Sequence, residues 1–520
     1  MKQERQLPLS FRIITASALL AVSLIFTACS ADNGENYIFK SVIHGNPATL
    51  DPQTSVKDSA QQVIPSIFRG LYRYSGTEIL PDMAESCEVS EDGLVWEFTI
   101  EDDVYWYDGE DFTAKCTAYD YEFAFRRLLS PAAKAKRAEE YYCIKNAEKV
   151  NRGELAAEEL GVTALSELSL RITLERPCQN FRALLAEPPA MPCNEEFFIK
   201  TKGQYGLFAD SIASNGDFWV SGWRYDKWSN EGNYISLRRN SKNAEQRQIS
   251  PYGLNFFIDS DGFAAMKSGE IQCYAAKNSE EAAELSKKFE FSENETAVWG
   301  IVFGGAVVES AELRAALGSS AEPLTQGEIY SPADFLIPEE TGECKAYRQA
   351  AGKAASPVCN REFSASESLS GLRMIMPENS RLRKAADGIL QTWQKKFGFF
   401  CSISELSESE FNSAFSSGDY DIALVRIKGC GVSDYFAPFV TGGAKVENQK
   451  FIHIMNSALS SLDIISAAPF YLEAEQFLLD NFYFVPVCTE KERVFFGKGV
   501  SGVEYCPKTG AFTFREALKK

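Results

Sequence analysis

Residues 79–127 read ILPDMAESCEVSEDGLVWEFTIEDDVYWYDGEDFTAKCTAYDYEFAFRR, and the hydrophobic rhythm of this stretch changes once along its length. Leu94, Trp96, Phe98 and Ile100 alternate with Val95, Glu97 and Thr99, the period of two that a half-buried strand requires. Asp108-Gly109 is a turn signal. Beyond it Ala118, Tyr121, Phe125 and Leu128 share one helical face, and Thr113 is read as the cap of that helix. The run thus encodes strand, strand, turn and helix in order, a packed α/β unit.

Upstream, Lys2, Arg5 and Arg12 precede an apolar run from Ile13 to Ala28. That run is shorter than the ~20 residues that span a bilayer. It reads as a secretory signal peptide over 1–28. It ends in Phe26-Thr27-Ala28-Cys29, which is similar to a bacterial lipobox, so Cys29 is the expected lipidation site. The alternative is an ordinary signal peptide cut nearby, with Cys29 a bystander. Acyl chains contribute about 0.8 kcal/mol per buried methylene, and more than one would hold the protein on a membrane. Small polar residues over 29–36 suit a flexible tether.

The roughly 490 residues that follow are too many for one compact core and enough for two or three domains. With 53 Lys and Arg against 72 Asp and Glu, the net charge of −19 repels nucleic acid and anionic lipid alike. The 37 Phe and 21 Tyr, without a low-complexity block or short repeat, indicate a fully folded chain. Beyond Cys29, the cysteines from Cys87 to Cys506 show no CxxC pair and no metal-ligand spacing. They are read as free, buried small hydrophobes, with disulfide pairing of some as the alternative.

Catalytic motifs are not found. His44 and His453 are the only histidines, and HExxH and GxSxG are absent. Gly497-Lys498-Gly499-Val500-Ser501-Gly502 has the spelling of a dinucleotide fingerprint, yet turn-rich extended sequence follows it, so it is read as a loop between strands. Neither an enzyme nor a cofactor or metal site is expected.

The 79–127 run closely resembles the signature of the family 5 extracellular solute-binding proteins, the peptide-binding components of ABC importers. Further matches follow in the family's order. They are the opening strand and loop at His44–Pro52, Ile67–Leu71, the strand pair over Leu160–Phe181, Ser214–Phe218 with Gly222-Trp223, Phe256–Cys273, Leu390–Asp421, and Phe484–Val487. The resemblance implies an α/β, two-lobed periplasmic-binding-protein-like fold with a hinge. Lobe I would take 37–72, 188–272 and 485–520, an inserted subdomain 73–187, and lobe II 273–484.

The resemblance also implies a binding mode. Relatives hold an extended peptide by its main chain, and one Asp pairs with the peptide α-ammonium. The best local match is Gly429-Cys430-Gly431-Val432-Ser433-Asp434-Tyr435, so Asp434 takes that role and Tyr435 accompanies it. Arg426 would face a ligand carboxylate, and Asn46, Pro47 and Ala48 would line the cleft from lobe I. The function implied is a monomeric, lipid-anchored, extracytoplasmic receptor that delivers peptides to the permease and ATPase subunits of an ABC importer. Alternatives are a non-peptide solute (nickel chelate, haem or oligosaccharide) or a surface lipoprotein for interaction or peptide sensing that no longer serves transport.

Overall fold

The structure, a computed structural model, describes residues 37–56, 59–229, 232–243, 249–321, 329–339, 342–355, 370–378, 380–398 and 400–520. The leader, Cys29 and the tether lie outside the described residues.

The alternating run forms the strand Val95–Ile100, with Trp96, Phe98 and Ile100 buried and Thr99 exposed. It sits in a four-stranded antiparallel sheet between Ala84–Val89 and Ser169–Thr173, with Val162–Ser166 at the far edge. The helix follows at Ala118–Leu128, but its cap is Thr117, not Thr113. Thr113 begins a short strand, Thr113–Lys115, paired with Tyr105–Tyr107 across the Asp108-Gly109 turn. Asp120 accepts from the Thr117 amide at 2.7 Å, so the Thr117/Asp120 pair closes the helix start.

Lobe I is built on a second four-stranded sheet, in the order Ile38–Ile43, Gly253–Ile258, Tyr234–Arg239, Phe218–Arg224. The first pair is parallel and the others antiparallel. The subdomain does not stand apart from it, because one continuous apolar core runs from Phe39 and Phe256 through Trp96, Trp106 and Tyr121. At its centre the end of the subdomain helix meets the opening loop. Arg127 forms an ion pair with Asp51 at 2.7 Å and donates to Gln53 at 2.7 Å.

Lobe II is a seven-stranded mixed sheet whose long member is Glu290–Phe303. Its inner half is buried on both faces. Val298 and Val302 enter one core, while Trp299, Ile301 and Phe303 enter the other. Such a strand needs covering layers on both sides, and helices supply them. On one face the helix Ile464–Asp480 contributes Glu475, wholly buried, which accepts from Arg348, Tyr347 and the amides of Leu336 and Ile337.

The chain enters lobe II through Cys273–Ala275 and leaves it at the end of Val485–Phe496, and these two strands pair with each other. Val485–Phe496 also pairs along its length with Glu290–Phe303. The expected boundary at 484/485 is therefore corrected, since residues 485–496 belong to the lobe II sheet and the return crossing falls after Phe496. At the crossing the Gly497 amide donates to the Gln272 carbonyl at 2.9 Å, and the Lys40 amide to the Gln272 side chain at 2.8 Å. Two adjacent strands with their bonds to each other intact make a hinge that can bend without coming apart.

Past the hinge, the glycine-rich run at 497–502 forms a turn into Val500–Ser501, which pairs with Leu518–Lys519, and no helix follows it. The hairpin Glu504–Cys506/Ala511–Thr513 then returns to lobe I. Phe514 packs on Phe39 and Phe256, and Arg515 bridges Asp217 at 2.8 Å and Asp82 at 3.1 Å. Among the described residues no disulfide forms, and Cys87 is the one unburied member of the eleven described cysteines.

Candidate ligand-binding cleft

The cleft wall on lobe II begins at the helix Val432–Val440. Asp434 sits in its first turn, and its Oδ2 accepts from the amides of Cys430 and Gly431 at 3.0 Å each. A carboxylate there also faces the positive end of the helix. This close return needs glycine at 429, where a Cβ would fall 2.3 Å from that of Asp434. With Oδ2 committed to the backbone, Oδ1 is left to face the opposite lobe.

What it meets is Lys508, on the turn of the C-terminal hairpin. Lys508 Nζ lies 3.1 Å from Asp434 Oδ1, 3.0 Å from Glu187 Oε1 and 2.9 Å from the Tyr74 hydroxyl. Burial works against this ammonium, but Asp434, Glu187 and Tyr74 outweigh it and hold its pKa well above the usual lysine value. Glu187 is also 3.2 Å from Arg137, which pairs with Glu140 at 2.7 Å.

A second bridge runs alongside. The Gln179 amide donates to the Leu459 carbonyl at 3.1 Å. Its side chain donates to Glu343 and accepts from the Tyr471 hydroxyl, the latter at 3.0 Å. Glu343 accepts from the Val432 amide at 3.2 Å. Burial, with Asp434 adding to it, pushes the Glu343 carboxyl above its usual range. Nearby, the buried thiols of Cys430 and Cys506 act on each other, Cys506 and burial pushing the Cys430 thiol up while Cys430 draws the Cys506 thiol down.

Between these bridges lies a cavity of about 1000 Å³, at the upper end of the range for small-molecule sites. Subdomain residues Val89, Trp96, Arg176, Gln179, Arg182 and Leu184 line one side. Glu343, Asp434, Ala437, Met455, Leu459 and Leu462 line the other, and Lys508 lines the cavity from the C-terminal hairpin. The lining combines apolar walls with a few charges, the usual make-up of a site that binds by shape and orients by polar groups.

Of the residues singled out from sequence, Asp434 lines this cavity. Tyr435, the next residue, is fully buried, and its hydroxyl donates to the carbonyls of Thr296 at 2.7 Å and Gly429 at 3.2 Å, so it is a core residue here. Arg426 faces the chain's own carboxylates, Glu490 at 2.8 Å and Glu492 at 3.8 Å. Asn46 accepts from the Trp223 indole at 2.8 Å, Pro47 is buried and Ala48 is exposed, and none of the three is among the cavity-lining residues. Lys508, Glu187, Tyr74, Gln179 and Glu343 carry the site's polar chemistry without a local sequence signal.

Two lobes that enclose a cavity and are joined by two paired crossings define a cleft-type solute-binding protein. The family model of the bacterial extracellular solute-binding proteins, family 5 (its "Middle" part), matches residues 78–321 of this chain. The chain is 24% identical over 559 residues to the oligopeptide-binding protein OppA of Bacillus subtilis (strain 168), covering 96% of this chain and 98% of that protein. It is 31% identical over 181 residues to the dipeptide-binding protein DppE of the same organism, covering 35% of this chain and 32% of that protein. Among solved structures, Listeria monocytogenes OppA bound to peptide superposes with a TM-score of 0.71 at 19% identity, over 93% of this chain and 99% of that one. Haemophilus influenzae OppA in complex with RPPGFSPFR gives 0.74 at 18% identity, over 93% and 99%.

Proposed function

We propose that this chain is an extracytoplasmic receptor that captures peptides by closing its two lobes and delivers them to an ABC importer. The observation that carries the reading is the cavity of about 1000 Å³ held between the subdomain and lobe II, with a hinge of two paired strands behind it. The likeness to oligopeptide- and dipeptide-binding proteins supports peptides as the solute class. In this reading the receptor works as a monomer and is tethered to the membrane by lipid on Cys29. Lobe I takes 37–72, 188–272 and 497–520, the subdomain 73–187 and lobe II 273–496. The permease and ATPase subunits recognise the closed form. Asp434 is the lobe II wall residue, together with Glu343, and Gln179, Glu187 and Lys508 face it. Arg426 and the loop 46–48 are expected to act on closure geometry more than on ligand contact.

The test is direct. Protein purified without refolding is denatured and the released solute identified by mass spectrometry, then added back to emptied protein. Released peptides that shrink the radius of gyration in solution scattering and raise the melting temperature support the reading. A tightly bound non-peptide solute, or a peptide that changes neither quantity, overturns it.

A further inference from the structure

A lysine ammonium has three N–H donors. Those of Lys508 meet three acceptors contributed by three separate parts of the chain. The Tyr74 hydroxyl comes from the strand Tyr72–Ser75, Glu187 from the end of the subdomain, and Asp434 from the first turn of a lobe II helix. The acceptors are as fully engaged as the donor. Asp434 gives Oδ2 to two backbone amides and Oδ1 to Lys508, while Tyr74 donates to Glu187 at 3.2 Å and Glu187 also holds Arg137. This is a built ammonium site in the cavity wall, and its occupant is part of the protein. An amine from a solute could reach Asp434 only beside a fixed like charge or by expelling it, and both are costly where water is scarce.

We propose that Lys508 is the specificity-determining residue of this cleft. It is a tethered cation that fills the ammonium site formed by Asp434, Glu187 and Tyr74, so peptides are accepted without regard to a free amino terminus, blocked and unblocked alike. The proposal rests on the peptide reading for its solute and on the side-chain geometry alone for its site. The same contacts make Lys508 a bridge between the lobes, so the electrostatics of the closed cleft are satisfied by the chain itself. The solute is then held by the walls and by main-chain hydrogen bonds, not by its terminal charge.

The site can be tested without knowing the solute. Lys508→Ala vacates a space shaped for an alkylammonium. Its melting temperature should be lower than wild type and should recover saturably with ethylammonium chloride. Tetramethylammonium chloride at equal ionic strength has no N–H to donate and should not restore it. Equal effects of the two salts on the variant overturn the proposal. If Lys508→Ala does not accumulate folded, Lys508→Met keeps the volume and removes the charge, and the recognition test is made on it.

In that test a mixed pool of short synthetic peptides, with free or acetylated amino termini, is titrated against both proteins. Wild type should bind the two forms within about threefold, and Lys508→Met should favour the free amine by about tenfold or more, since Asp434 and Glu187 then need a cation. A wild type that prefers free amines by about tenfold, or a variant without preference, overturns the proposal. The two readings fail separately. Peptide binding with no ethylammonium rescue leaves the peptide receptor standing and removes the role of Lys508. Rescue in a protein that binds neither peptide form keeps the internal ammonium site and removes the peptide.

Discussion

Gln179→Ala removes a side chain that reaches across the cleft to two lobe II partners at once. Its Nε2 donates to Glu343 and its Oε1 accepts from Tyr471. Tyr471 is fully buried, and Glu343 carries a carboxyl already pushed up by burial. A hydrogen bond to a charged group is worth about 1.5–3 kcal/mol and a neutral one about 0.5–1.5, so the closed form should lose roughly 2–4 kcal/mol. In an open cleft both partners turn to water and lose little. The closed-to-open ratio should therefore fall by roughly 30- to 900-fold, and solute affinity should fall with it by as much as closure contributes to binding. Scattering from the solute-free protein reads this without a ligand, since the variant should show a larger radius of gyration than wild type. Calorimetry with the solute recovered from wild type reads the second consequence. The reasoning is refuted if radius and affinity are both unchanged while the melting temperature drops by several degrees. That result would make Gln179 a packing residue of the subdomain, not a bridge.

Because burial raises the Glu343 carboxyl in the closed cleft, its contribution to closure is full below the usual 4.5 and is lost as pH rises through the raised value. Solute affinity should decline over that window in wild type and flatten in Glu343→Gln, as followed by calorimetry. The Cys430 and Cys506 thiols lie in lobe II and the C-terminal segment and are buried, so solute that closes the cleft should slow their alkylation, read residue by residue by mass spectrometry. Unchanged rates would place the hinge motion elsewhere. Glu475→Gln weakens a buried carboxylate bonded to Arg348 at 2.7 Å and should destabilise lobe II by roughly 3–5 kcal/mol in chemical denaturation. Cys29→Ala should move the protein from the membrane to the soluble fraction or leave it unprocessed. A cleaved variant that stays on the membrane rules out lipidation at Cys29.

The fold was legible where the physics is local. A strand with one wet face writes its pattern into the sequence, and Val95–Ile100 does so residue by residue. The helix after it is legible, but a cap at Thr113 starts it four residues too early. The better signal was Thr117 followed three residues on by Asp120, an acidic residue placed to bond back to the cap. The lobe boundary at 485 failed for a different reason. Val485–Phe496 is largely buried and finds its partners in Glu290–Phe303, nearly two hundred residues upstream. A strand covered on both faces has no alternation to say which sheet it joins, and its pairing is fixed by contacts remote in sequence.

The site divides along the same line. Asp434 is legible only through the resemblance of Gly429–Tyr435 to a family segment, and the structure uses its carboxylate locally, to accept from the Cys430 and Gly431 amides at a helix start. Tyr435 is adjacent in sequence but about 100° further round the helix, which sends it into the core. Lys508 gave no such signal. Pro507-Lys508-Thr509-Gly510 reads as a solvated hairpin turn, which is right for its backbone, since Gly510 adopts φ +71° and the two short strands pair as a hairpin should. The side chain is turned inward by events elsewhere. Arg515 fastens the returning segment to Asp82 and Asp217, Phe514 locks it onto the lobe I core, and the turn is thereby held over the cleft. There two carboxylates from different lobes need a cation. The position that reads most like surface thus becomes a bridge of the binding site, because a residue's partners are set by where the chain's far segments dock, not by its own neighbours in sequence.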